Sequence, residues 1–242
     1  MADGSASIEG VKELGRGELY EPADAARFLR MSSARVRRWV YGYHYEYREK
    51  TRHKGPMIVR DRNDGQVPYM SFLDLMELLF VKLFLDEGIP LQRIRRALDE
   101  AKQVLDIDHP FARRMFFTNG HALYLQVKQQ GDAPQLLQLL SGGQWVIAPV
   151  VMQYARQIDF ARVSGEALRW WPMGRAVPVV LDPRVSFGAP TIAEAGIRTT
   201  VLYDLYKAEG KRVNAVSRWM QIPPDLVRAA VRWEEQYLRK AA

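Results

Sequence analysis

The stretch from Tyr20 to Tyr47, YEPADAARFLRMSSARVRRWVYGYHYEY, constrains the chain most, because it reads as two short helices around a tight turn. Pro22 suits the first helical position, where a missing N–H leaves no partner unpaired. Ala25, Phe28 and Leu29 follow at helical spacing. Met31-Ser32-Ser33 supplies the turn, and a serine there can cap the next helix by accepting a backbone N–H. The second helix, about 34–40, places Val36, Trp39 and Val40 against the first and turns Arg35, Arg37 and Arg38 outward. An aromatic-rich exit follows. This is the layout of a helix-turn-helix, whose second helix enters the DNA major groove.

The charge is concentrated in the same place. From Arg27 to Arg62 there are 11 Lys/Arg against 3 Asp/Glu, a surplus of +8 where the whole chain carries +7. A patch this dense is what a phosphate-facing surface requires. The candidate DNA-binding residues are Ser32, Ser33, Arg35, Arg37, Arg38, Tyr41, Tyr43, Arg52, Lys54, Arg60 and Arg62. The last two belong to an expected wing. Met57-Ile58-Val59-Arg60 and Gln66-Val67-Pro68-Tyr69 flank Asp61-Arg62-Asn63-Asp64-Gly65, a turn-forming cluster consistent with a hairpin.

The clearest helix comes next. Ser71 caps it, with Asp74 three residues on. Phe72, Leu75, Met76, Leu79, Leu83 and Phe84 form one apolar face, and Gly88 and Pro90 stop it. A further helix sets Leu91, Ile94, Leu98, Ala101 and Leu105 on one side, with Arg93, Arg95, Arg96 and Lys102 on the other. The order helix-turn-helix, wing and two helices joined by Gly88-Ile89-Pro90 resembles the DNA-binding domain of MerR-type regulators. Ser71-Phe-Leu-Asp-Leu-Met-Glu-Leu78 and the run from Gly88 to Leu98 carry that resemblance. The long dimerising coiled-coil helix common in that group does not follow.

From about 106 to 174 the sequence shows no chemistry. Phe116 to Leu125, with Asn119-Gly120 at its centre, signals a hairpin, Ser141-Gly142-Gly143 a break, and Val146 to Ile158 a helix after Pro149. Trp170-Trp171-Pro172 closes the region. Val177 to Leu181 then reads as a short β run, Ser186 to Pro190 as a loop, and three helices complete the chain. Their core stripes are Val201, Leu202, Leu205 and Tyr206; Val216, Trp219 and Met220; and Leu226, Val227, Ala230, Val231 and Tyr237.

The run from Asp182-Pro183-Arg184 through Gly188, Pro190 and Ile192, with Ile197, Thr199 and the three-helix end, resembles the small VapB-type antitoxins of domain-of-unknown-function family 433. That family is usually encoded beside toxins of PIN-like ribonuclease fold. The resemblance implies a toxin-binding surface, and a basic one suits an acidic nuclease cleft. The candidates are Arg184, Arg198, Arg212, Arg218, Arg228 and Arg232. Where the family has a Gly-Thr-Arg run, Glu194-Ala195-Gly196 stands instead.

Composition sets the remaining bounds. With 48% hydrophobic and 26% charged residues the chain has an ordinary folding composition. It has no cysteine, no apolar run near the roughly 20 residues of a membrane helix, and no secretory pattern at its start, which fits a cytoplasmic protein. The four histidines show no metal-ligand spacing, and no phosphate loop or nucleophile elbow occurs. The expected protein is therefore non-enzymatic, without cofactor or metal. Its fold class is mainly α with small β-hairpins (α+β), and residues 1–19 form a flexible tail. Residues 20–106 form the MerR-like winged helix-turn-helix domain, 107–175 a connecting region and 176–242 a three-helix antitoxin domain. Its partners are double-stranded operator DNA, a PIN-like ribonuclease toxin and a second copy of itself in a homodimer. The alternative is a MerR-type regulator that responds to a small ligand.

Overall fold

The computed structural model describes residues 20–48, 50–58, 69–113 and 153–237. The expected tail, the turn at 61–65 with Arg60 and Arg62, the hairpin at 116–125 and the break at 141–143 lie outside those residues.

Two helices open the fold, α1 (Pro22–Leu29) and α2 (Ser33–Tyr41). Strands β1 (Tyr43–Tyr47) and β2 (Lys50–Lys54) form a hairpin, followed by α3 (Phe72–Asp86) and α4 (Leu91–Leu105). A 3₁₀ turn at Pro110–Ala112 precedes the antiparallel pair β3 (Ile158–Phe160) and β4 (Ala167–Trp170). The C-terminal part has a three-stranded antiparallel sheet of β5 (Val179–Val180), β6 (Thr191–Ile192) and β7 (Ile197–Arg198), in that order. Helices α5 (Thr199–Ala208), α6 (Val213–Met220) and α7 (Pro224–Arg232) follow, and a π turn, Trp233–Tyr237, ends the described chain. The architecture is α+β.

Helix α3 is the axis of the core. Its capping box forms as the sequence predicts: Ser71 Oγ accepts from the Asp74 N–H at 3.1 Å, and the Ser71 N–H donates to Asp74 Oδ2 at 2.8 Å. One correction concerns its faces. Leu78, Phe80 and Val81 are as buried as the expected stripe, so α3 is enclosed on most of its circumference, with Lys82 and Asp86 at its exposed edge. A helix apolar on most sides is a core helix rather than a surface one. Gly88, at φ +82, ends it, and Pro90 caps α4.

The N- and C-terminal parts share one core. Tyr20 exchanges two 2.8 Å backbone hydrogen bonds with Met70, which ties the start of α1 to the start of α3. Its hydroxyl donates to the Gly188 carbonyl at 3.0 Å, 168 residues away. Phe28 packs between Tyr20 and the fully buried Trp233, with ring centroids 6.1 Å from each. Trp170, also fully buried, pairs its backbone with Leu181 and so joins β4 to the C-terminal sheet.

Three further expectations are corrected. Of the helix expected over Val146–Ile158, residues 146–152 lie outside the described residues and 153–155 are helical, while Ile158 opens β3 opposite Trp170. Arg95 does not face solvent freely: it donates to the Gly55 carbonyl at 3.0 Å, and desolvation by burial lowers its pKa. Trp219 is 74% exposed and Val201 44% exposed, although both were placed in core stripes.

A buried polar cluster locks α3 to the 3₁₀ turn. Glu77, wholly buried, accepts from the Phe111 N–H and meets His109 Nδ1, each at 3.3 Å, with Lys102 Nζ at 3.9 Å. Asp74 Oδ1 lies 3.7 Å from the same His109 nitrogen. Burial opposes a charge on His109, but the hydrogen bond to Glu77 and the charges of Asp74 and Glu77 outweigh it, against Lys102. The net shift is upward. A histidine whose pKa is raised on folding contributes stability that is complete below about 6.5 and is lost as pH rises through the folded value. Urea midpoints should therefore fall with rising pH over that window, and His109→Gln should flatten the slope.

Candidate nucleic-acid interface

The turn between α1 and α2 is short and well capped. Arg30 closes α1 in the left-handed region (φ 55, ψ 51), Met31 is buried, and Ser32 opens α2 by accepting from the Arg35 N–H at 3.3 Å. Val36, Trp39 and Val40 then pack inward. Ser33, Arg35, Arg37, Arg38 and Tyr41 all stand on the exposed side, so the structure gathers the expected recognition residues on one element. Guanidinium groups so placed can pair with guanine O6 and N7, and the hydroxyls with phosphate.

The hairpin that leaves α2 was not read from the sequence. In its register Tyr43 faces Lys54, Tyr45 faces Arg52 and Tyr47 faces Lys50. Cross-strand partners project to the same side. One face of the ribbon therefore carries three tyrosines and three cations, and the expected residues Tyr43, Arg52 and Lys54 come together on it. The Arg52 guanidinium lies 4.8 Å from the Tyr47 ring centre, and that of Arg38 lies 5.8 Å from Tyr43, which joins the ribbon to the recognition helix. The other face pairs the His44 and His53 rings at 4.7 Å, and Thr51 donates to Glu46 at 2.7 Å.

Neither ribbon face is covered by the fold. A two-stranded hairpin without a buried face is marginal in water, so its root must hold it. The Met57 N–H donates to the Trp39 carbonyl at 2.7 Å, and Arg95 holds Gly55. Gly42 sits at φ +74, ψ −174, where a Cβ would lie 2.4 Å from the Lys54 carbonyl oxygen. Only glycine adopts that conformation cheaply; other residues there cost about 1–3 kcal/mol. Gly42→Ala is expected to lower stability by about that amount and to weaken DNA binding by misplacing the ribbon. Denaturation and a DNA titration of the same variant check both.

A sequence signal for the ribbon existed. Tyr-His-Tyr-Glu-Tyr and Lys-Thr-Arg-His-Lys are five-residue runs of alternating character separated by Arg48-Glu49. The usual glycine or asparagine of a tight hairpin is absent, and Arg48 takes the positive φ of 49°.

The expected toxin-binding arginines stand on several elements. Arg184 is held by both oxygens of Asp182, at 3.0 and 2.8 Å, and this hydrogen bonding raises its pKa. Arg212 reaches Glu209 at 3.5 Å, and Arg228 is engaged by Asp225. Arg198, Arg218 and Arg232 are exposed on β7, α6 and α7. The six come from the loop after β5 and from β7, α6 with its N-cap, and α7.

Residues 18–98, a third of the chain, match a family described as "Putative DNA-binding HTH domain". Over 222 residues the chain is 27% identical to "Putative antitoxin VapB45" of Mycobacterium tuberculosis (strain ATCC 25618 / H37Rv), spanning 88% of this chain and 92% of that protein. The crystal structure of Rv2018 from Mycobacterium tuberculosis superposes with a TM-score of 0.64 at 24% identity, over 88% of this chain and 97% of that one. The chain thus shares its fold with that structure, and its N-terminal part is similar to DNA-binding helix-turn-helix domains.

Proposed function

We propose that this chain is a VapB-type antitoxin that represses its own operon. The single observation behind this is the conjunction, in one chain, of an exposed arginine-bearing recognition helix and near full-length similarity to a protein named as an antitoxin. In this reading α2 enters the major groove through Arg35, Arg37 and Arg38, while the tyrosine and cation face of the ribbon lies along the adjacent backbone. The pair α3–α4 completes a MerR-like domain. A palindromic operator calls for a two-fold homodimer. The C-terminal three-helix unit, 176–242, binds and inhibits a PIN-like ribonuclease in the cytoplasm, and the chain itself catalyses nothing.

Co-expression with the product of the neighbouring reading frame, followed by purification and mass analysis, tests this. The expected result is a stable complex with a small acidic protein that is toxic alone and binds upstream DNA through this chain. No complex, with DNA binding intact, favours a ligand-responsive regulator. One feature supports that second reading: a cleft of about 300 Å³ behind the α1–α2 turn, lined among others by Phe28, Arg30, Lys82, Gln157 and Trp170.

A further inference from the structure

The C-terminal helices α6 and α7 repeat the geometry of α1 and α2. An eight-residue helix ends in a left-handed residue, Gln221 (φ 53, ψ 39), as α1 ends in Arg30 (φ 55, ψ 51). Ile222 stands where Met31 stands, and its N–H reaches the Ser217 carbonyl at 3.1 Å as the Met31 N–H reaches Ala26 at 2.9 Å. A nine-residue helix follows in both. Val227, wholly buried, occupies the place of Val36.

Two differences change what the second unit can do. Its outer helix has Leu226, Arg228 and Ala229 at the positions of Arg35, Arg37 and Arg38, and Leu226 and Ala229 are buried while Arg228 pairs with Asp225. Two of the three outward arginines of α2 therefore have no counterpart on α7, and the counterpart of the third is paired. The other difference is Trp219, which stands two residues before the left-handed turn, as Phe28 does. Phe28 is 6% exposed, enclosed by Tyr20 and Trp233; Trp219 is 74% exposed on the same helix face as the buried Ala215 and Val216. The repeat reproduces the aromatic, and among the described residues nothing encloses it as Tyr20 and Trp233 enclose Phe28.

We propose that Trp219 is the anchor through which this unit docks an acidic partner protein, the ribonuclease of the reading above, on which this inference rests. Tryptophan and arginine are the residues most enriched at interface hot spots. From Lys207 to Arg218 the chain carries 4 Lys/Arg against 1 Asp/Glu, a local +3. Lys211, Arg212 and Arg218 are exposed, and Arg218 has no ion pair among the described residues. Two such patches repel one another in a self-contact, so the charge favours an acidic surface over a second copy.

The test uses the full chain and the purified product of the neighbouring reading frame, titrated calorimetrically. Trp219→Ala is expected to weaken the complex by a factor on the order of 30 or more, and Arg218→Glu to weaken it further. Melting temperature and DNA affinity should stay near wild-type values, because among the described residues the side chain is largely exposed. A complex as tight with Trp219→Ala as with the wild-type chain overturns the anchor while leaving the antitoxin reading intact. Loss of a homodimer with partner affinity unchanged assigns the face to a second copy and also overturns it. If the wild-type chain forms no complex, the antitoxin reading fails and this surface proposal fails with it.

Discussion

Trp233→Ala is expected to cost about 3–5 kcal/mol of stability, the range for truncating a large buried aromatic. A domain of this size has about 5–15 kcal/mol in total, so the variant should sit close to unfolding at ordinary temperature. Trp233 is wholly buried in the π turn after α7, and its ring rests on Phe28 of α1. Its loss uncovers the first helix of the helix-turn-helix as well as the end of the C-terminal unit. Urea unfolding followed by near- and far-ultraviolet circular dichroism should show one transition shifted to lower urea. DNA affinity should fall with it, although Trp233 lies more than 190 positions from the recognition helix. Two separated transitions, with the N-terminal helices unfolding as in wild type, would show instead that the two parts are thermodynamically independent.

What was legible in the sequence followed from local rules. Pro22, the Met31-Ser32-Ser33 turn and the spacing of Val36, Trp39 and Val40 are local signals, and α1, the turn and α2 form where they point. The Ser71 and Asp74 box is also local, and it forms. What was missed depends on partners distant in sequence. Helix α3 carries two buried faces, because the Pro110–Ala112 turn as well as α1 and α4 packs around it, with the Phe111 N–H bound to the buried Glu77 off the expected stripe. Periodicity cannot announce a cover that arrives some 30 residues later.

Trp219 failed in the opposite direction. Its spacing from Val216 is that of a core stripe, yet no described neighbour encloses it as Tyr20 and Trp233 enclose Phe28. The candidate DNA site was half legible. Arg35, Arg37 and Arg38 stand outward on α2 as their spacing predicts, whereas the wing hairpin expected at 57–69, around Asn63-Asp64-Gly65, lies largely outside the described residues. The hairpin at 43–54 turns through Arg48 at positive φ, which turn preferences argue against.

Replacing Arg37 and Arg38 together by alanine should abolish operator selectivity. A bidentate arginine–guanine contact discriminates by about 1–3 kcal/mol, so two such losses correspond to roughly a 30- to 20,000-fold fall in specific affinity. Binding to unrelated DNA should fall much less, because the ribbon retains Lys50, Arg52 and Lys54 on its exposed face. The reverse pattern is expected of Arg52→Ala with Lys54→Ala. Phosphate contacts carry no sequence information, so their loss weakens all duplexes alike and flattens the salt dependence by about one counterion per contact. The two elements are not independent, since the Arg38 guanidinium lies over the Tyr43 ring at the root of the ribbon. A double-mutant cycle between Arg38→Ala and Tyr43→Ala should therefore be non-additive by about 0.5–3 kcal/mol. Titrations of operator and scrambled duplexes at several salt concentrations measure all of these. Unchanged operator affinity for the Arg37 and Arg38 variant at every salt concentration would remove α2 from the groove.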